Sequence, residues 1–283
     1  MVASIGTPTS RVRRGAGRRQ CGDGESAADA GHRAGRLEER GLRSVGPVSA
    51  LGQVSLLNPD FPRADPRARR RCGMNYRAVA DSVAEKLLGY SRDESGWRAC
   101  KRTNEVCVSW RPSSEYSGNL YKGEGIIKGA PQEVWECLKP VPDGLRVKWD
   151  KNVKVFELIE TIDDTMSVCR TVTPSAAVGI ISPRDFVDVI LIKRYEDGTI
   201  SSNATNVEHP GCPPKPHYVR GFNHPCGCFC APIPGEPRKT HLTTFFQTDL
   251  GGYLPQSVVD SFFPSSMAEF YSNLSKAVKT FKA

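Results

Sequence analysis

From Pro255 onward, Val259, Phe263, Met267, Phe270, Leu274, Val278 and Phe281 recur every three or four residues, with Asp260, Glu269, Lys276 and Lys279 on the other side. That period lays one apolar stripe along a long amphipathic helix. The stripe is rich in aromatic rings and includes a methionine, which suits a helix lying across the open face of a curved sheet. Such a helix either plugs a packed core or lids a cavity, and its periodicity is the same in both cases. Pro264 removes one backbone hydrogen bond, so a kink or a late start near it is expected.

The chain ahead of this segment supplies the sheet. Val79, Val83 and Leu87, with Asp81, Glu85 and Lys86 between them, predict a first amphipathic helix running to about Tyr90. After Trp97 the period switches to two: Val106, Val108 and Trp110, then Leu120 to Ile127, read as strands. Pro131 suits the first position of a short helix carrying Val134, Trp135 and Leu138. Alternation resumes with Leu145, Val147 and Trp149, with Phe156, Leu158 and Ile162, and with Met166, Val168, Arg170 and Val172. Phe186 to Tyr195 is a long apolar strand, and Asp197-Gly198 is a hairpin signal leading to Thr199 to Val207. A Pro-rich connector from Pro210 to Pro216 precedes two more extended stretches, Tyr218 to Ala231 and Leu242 to Leu250. Strands this numerous, eight or nine by this reading, without strand–helix alternation, place the fold in the α+β class with an antiparallel, strongly curved sheet.

Charge divides the chain. Up to Gly73 there are 14 Arg, no Lys and 7 acids; from Met74 on there are 25 Lys plus Arg against 24 acids. The basic excess thus lies in a stretch whose one aromatic is Phe61, whereas a nucleic-acid binder needs basic and aromatic residues on one folded face. Nucleic acid is therefore not an expected partner. Residues 1–73 are crowded with Gly, Ala, Ser, Pro and Arg and cannot bury enough apolar surface to offset chain entropy. They read as a disordered, Arg-rich extension, and residues 74–283 as the folded domain. The extension fits sequence translated ahead of Met74, a mitochondrial presequence, given five Arg and no acid between Met1 and Gly22, or a functional basic arm.

An apolar run of about 18 residues is missing, so no membrane-spanning helix is expected. The ten Cys are scattered over predicted strands and helices, the usage of reduced, core-filling thiols in a cytosolic protein. His209, Cys212, His217, His224, Cys226, Cys228 and Cys230 crowd into 22 residues and invite a zinc site. Cys-x-Cys-x-Cys on a strand, however, puts its thiols on one face without the reverse turn of a Cys-x-x-Cys knuckle, so no metal is assigned. A Gly-rich phosphate loop, a G-x-S-x-G elbow and a convergent His, Glu or Lys set are also missing, so neither cofactor nor catalytic residues are assigned.

With the strands placed, residues 74–283 resemble the StAR-related lipid transfer (START) family. The resemblance is carried by NLYKGEG at Asn119, LRVKWD at Leu145, TPSAAVGIISPRDFVDVILIKRYEDGTISSNAT at Thr173, VRGFNHPCGCFC at Val219 and TDLGGYLPQSVVDSFFP at Thr248. It implies a helix-grip fold: a curved antiparallel sheet of about nine strands closed by the long C-terminal helix, which lids a tunnel. The tunnel would hold one sterol, cholesterol or an oxysterol, or a bile acid. The resemblance further implies a monomeric cytoplasmic carrier, not an enzyme, that meets membrane surfaces transiently. A ligand-sensing or enzymatic protein on the same scaffold is the alternative.

A sterol's hydrocarbon body gains about 0.8 kcal/mol per CH₂ on leaving water, so a carrier needs an apolar sleeve with a few polar groups to orient the hydroxyl. Arg146, Thr173 and Ser202 are the polar candidates. Trp149, Phe263, Met267 and Phe270 are the apolar ones. Arg184 and Asp185 of PRDF are candidates for a structural or cavity pair, because a buried guanidinium needs a carboxylate. The steroidogenic member of the family carries an acid–base pair in its pocket, and the aligned positions here are Thr171 and Ile190. A pocket with an arginine and hydroxyls but no matched acid is expected to accept a carboxylate-bearing sterol. The C-terminal helix and the loop from Ala176 to Ile181 are the expected exchange gate, with Lys276, Lys279 and Lys282 in water.

Overall fold

The structure, a computed structural model, describes residues 75–281. The extension over 1–73, the domain boundary at Met74 and the side chain of Lys282 lie outside the described residues. Asn75 caps the first helix: its Oδ1 accepts from the backbone N–H of Ala78 at 3.2 Å at the start of α1, Tyr76–Arg92. Then come β1 (Arg98–Arg102), β2 (Cys107–Pro112) and β3 (Asn119–Ile127). Pro131 opens α2 (Pro131–Leu138) as expected, and the Glu133 carboxylate accepts from the N–H of Ala130 at 2.9 Å.

Leu145 to Trp149, expected as a strand, is instead the single helical turn α3, Arg146–Trp149. Asp143, with φ of 58°, and Gly144 break the extended path just ahead of it. Helical winding puts Leu145 and Trp149 on one side, where both pack on the core, and Trp149 Nε1 donates to the carbonyl of Cys137 at 2.9 Å.

Strands β4 (Val155–Asp163), β5 (Met166–Val172), β6 (Arg184–Arg194) and β7 (Ile200–Asn206) follow. The β6–β7 hairpin turns where the sequence places it: Asp197 Oδ1 accepts from the N–H of Thr199 at 2.9 Å and Gly198 has φ of 84°. Tyr218 to Ala231, expected as one extended run, is cut into β8 (Val219–Arg220), β9 (Phe222–Asn223) and β10 (Cys226–Pro232). Pro225, which has no N–H for a ladder, separates the last two. The chain ends in β11 (Thr240–Phe246), β12 (Thr248–Asp249) and α4 (Gln256–Thr280). Instead of starting late, α4 begins at Gln256 and runs through Pro264, while Phe281, the last position of the predicted stripe, is an exposed cap.

The main sheet is one antiparallel path in the order β1-β2-β3-β11-β10-β7-β6-β5-β4; β8 joins β6 in parallel and β9 pairs with β12 apart from it. Alternation gives the sheet two apolar faces. On the outer one, Val168, Val187, Val189 and Leu191 pack with Ala80 and Ala84 of α1. The inner one receives α4, which buries Phe263, Met267, Phe270 and Leu274, each worth about 1.5–3 kcal/mol of apolar burial. Gly123 of β3 permits this approach, since a Cβ there would stand 3.0 Å from both Met267 Cε and Tyr271 Cε2.

Candidate functional site

Between the inner sheet face and α4 lies a cavity of about 240 Å³. Its wall is mainly apolar, with Phe186 and Ile190 from β6, Phe246 from β11, and Phe263, Met267 and Phe270 from α4. Of the sequence candidates, Arg146, Thr173, Ser202, Phe263, Met267 and Phe270 border it. Trp149 does not: it packs against Phe270 with ring centroids 5.4 Å apart, and its N–H is taken by Cys137.

The polar groups differ from expectation in three ways. The pocket arginine has a matched acid, because the turn α3 sets residues four apart on one side. Arg146 Nε is 3.1 Å from Asp150 Oδ2, and Asp150 is buried and further bonded by the backbone N–H of Asn152 at 3.0 Å.

Second, Arg184 and Asp185 do not pair. Consecutive residues of a strand point to opposite faces. Arg184 borders the cavity and donates to three carbonyls, those of Leu250 at 3.0 Å, Ser182 at 2.5 Å and Gly251 at 3.3 Å. Burial without a counter-charge lowers its pKa. Asp185, across the sheet, accepts from Arg170 Nε at 2.8 Å and Arg220 Nε at 2.9 Å. Burial alone would raise the Asp185 pKa, but those two guanidinium groups outweigh it and hold the carboxyl below its ordinary value.

Third, the cavity holds a carboxyl that the sequence reading passed over. Asp188 shares the inner face of β6 with Phe186 and Ile190, and the signal was visible as the one acid at that parity in a long apolar strand. Its Oδ2 accepts from Asn223 Nδ2 at 2.8 Å, and Asn223 Oδ1 accepts in turn from Thr248 Oγ1 at 2.8 Å. Oδ1 is buried with no hydrogen-bond partner among the described residues. Burial pushes the Asp188 pKa up to about 7, against the smaller opposing effects of the Asn223 bond and the Arg220 charge. Thr171 and Ile190, the positions aligned with the expected acid–base pair, also border the cavity, whose acids stand elsewhere, at Asp150 and Asp188.

The loop ahead of β6 closes on itself through a bridge between Ala176 and Ile181, both against the cavity, while Val178 and Ile180 are exposed. Ala177 and Val178 have φ of 49° and 56°, a strained conformation for residues with a Cβ. Arg184 ties this loop, through Ser182, to Leu250 and Gly251 just before α4. Lys276 and Lys279 are exposed.

The crowded His and Cys residues disperse. His209 Nε2 lies 2.9 Å from Glu160, His224 stacks on Tyr116 at 4.3 Å, and Cys226 and Cys228 border the cavity. Among the described residues no three such side chains gather around a point where a metal ion would sit. Nor, among them, is any helix long and apolar enough to cross a membrane.

Comparison with known proteins agrees with this architecture. The START domain model matches residues 78–283. StAR-related lipid transfer protein 5 of Homo sapiens is 68% identical over 203 residues, 72% of this chain and 95% of that protein. StAR-related lipid transfer protein 4 of Homo sapiens is 36% identical over 71% of this chain and 96% of that protein. The solved structure of human StAR-related lipid transfer protein 5 is similar with a TM-score of 0.70 at 66% identity, covering 73% of this chain and 97% of the other. Sheet order, the helix on the inner face and a match along almost all of the described fold lead to one conclusion: the chain belongs to the START domain family.

Proposed function

We propose that this protein is a non-enzymatic lipid carrier that takes one sterol, cholesterol or an oxysterol, or one bile acid into the cavity under α4 and moves it through the cytosol between membranes. The observation that carries the reading is the mainly apolar cavity between sheet and helix. A hydrocarbon body placed there leaves water wherever it meets the wall, at a gain of about 25 cal/mol per Å². The relatives described above are lipid transfer proteins, in keeping with that reading.

Arg146, Thr173, Ser202 and Asp188 are the groups that would orient the ligand's polar end. Among the described residues Arg146 donates only through Nε, so its two Nη groups remain available to a carboxylate. Entry needs a moving wall, and the Ala176 to Ile181 loop with the first half of α4 fits that role. Exposed Lys276 and Lys279 suit brief contact with an anionic membrane surface. The carrier works as a monomer in this account.

The test is transfer of cholesterol from donor to acceptor vesicles at protein concentrations far below that of the sterol. Acceleration is expected from the wild type, and much less from a folded Ala204→Trp variant whose indole takes up part of the chamber. No acceleration of cholesterol or of a bile acid, or equal acceleration by the filled variant, would overturn the reading.

A further inference from the structure

Asp188 carries an inference that rests on the carrier reading and extends it to what the cavity recognises. The residue is only 6% exposed and borders the chamber. Its Oδ2 belongs to a chain that fixes its own direction: Thr248 Oγ1 donates to Asn223 Oδ1, which leaves Asn223 Nδ2 to donate to Asp188. Oδ1 has no partner. Folded proteins rarely keep a buried oxygen unbonded unless something else bonds it.

The charged and titratable neighbours do not supply that partner. Cys169 stands opposite in the β5 register, Cys226 approaches from β10, and Arg220 of β8 is committed to Asp185. From α4 the cavity is faced by Phe262, Phe263, Ser266, Met267 and Phe270, none of them ionisable. Among the described residues no cation pairs with Asp188.

We propose that Asp188 Oδ1 receives a hydroxyl of the bound lipid, and that this one oxygen discriminates a hydroxyl from a ketone at the same carbon in a manner that depends on pH. An ionised carboxylate only accepts hydrogen bonds, and a hydroxyl can donate to it. A ketone has no proton to give, so two acceptors would oppose each other there. A protonated carboxyl donates, and hydroxyl and ketone can both accept from it.

Because burial brings the Asp188 pKa up to about 7, the exchange of roles falls near neutrality. The protonated share drops from about nine tenths at pH 6 to about one tenth at pH 8. A ketone that binds only the protonated form therefore loses about tenfold in apparent affinity over that range. A hydroxyl loses nothing, since its bond to the carboxylate is charge-assisted.

The experiment titrates the full chain with cholestanol and with cholestanone, which differ in carrying a hydroxyl or a ketone at one ring carbon, at pH 6, 7 and 8. The ratio of the two dissociation constants is expected to move about tenfold in favour of the alcohol between pH 6 and pH 8. In Asp188→Asn, which cannot titrate, the ratio should stay flat. A ratio in the wild type that does not change with pH, or one that still moves in Asp188→Asn, overturns the proposal. Binding of either sterol at pH 6 with a flat ratio leaves the carrier reading standing, whereas no binding of either sterol at any pH counts against both.

Discussion

The hydroxyl of Tyr271, in the second half of α4, donates to the carbonyl of Gly123 on β3 at 2.8 Å. The carbonyl of Leu242 shares it at 3.0 Å and Thr244 Oγ1 lies 3.2 Å away, so one phenol ties the helix to β3 and β11. Burial raises its pKa well above the ordinary phenol range, which keeps it a donor. Tyr271→Phe should therefore destabilise the fold by about 1–3 kcal/mol, the cost of leaving buried acceptors short of a donor. The expected sign is a lower denaturant midpoint at unchanged slope; an unchanged midpoint would mean that packing alone holds α4.

That anchor divides the helix. Tyr271, Leu274, Ala277 and Val278 are buried, whereas Gln256 to Ser261 are half-buried or exposed, and Pro264 lacks an N–H between the two halves. In the proposed account Gln256 to Ser261 form the part of α4 that lifts. A disulfide engineered between it and the Ala176 to Ile181 loop should preserve the fold and stop ligand exchange, with reduction restoring it. Exchange between vesicles at the wild-type rate in the oxidised protein would place the gate elsewhere.

Asp188 predicts how stability depends on pH. Its folded pKa, about 7, lies above its ordinary value of 3.8, so across that window the folded protein holds a proton that the unfolded chain has lost. Stability from this group is present in full below about pH 4, falls as pH rises to about 7 and is level beyond. Asp188→Asn removes that loss. Its denaturant midpoint relative to wild type should rise between pH 5 and pH 8, by an amount corresponding to a few kcal/mol at most. A difference that stays constant with pH would contradict a neutral, buried Asp188.

Arg146→Ala should weaken a bile acid more than a neutral sterol, because a charge-assisted bond contributes about 1.5–3 kcal/mol and a neutral one about half that. The variant also leaves the buried Asp150 without its cation, so some loss of stability accompanies it. Titrations of cholate and cholesterol at a temperature where both proteins are folded separate the effects. Equal losses for the two ligands would assign Arg146 to holding Asp150.

The features legible in the sequence were local ones. The α4 stripe, the Pro131 helix start and the Asp197-Gly198 turn each follow from a period or a turn preference within a few residues. Leu145, Val147 and Trp149 misled because five residues satisfy alternation while Leu145 and Trp149 also satisfy helical spacing. Without α3, the pairing of Arg146 with Asp150 was invisible. The separation of Arg184 from Asp185 and the inward aim of Asp188 follow from strand parity, which adjacency in sequence conceals. That Arg220 completes the Asp185 site could not be read at all, since β8 joins β6 by a parallel pairing across distant sequence.

Native mass spectrometry of the protein after incubation with mixed lipid vesicles tests the central claim most directly. The account predicts a single added mass, one sterol or one bile acid per chain, present in the wild type and much reduced in Ala204→Trp, whose side chain takes up part of the chamber. Added mass in variable multiples, or the same addition to the filled variant, would contradict a lipid enclosed between the sheet and α4.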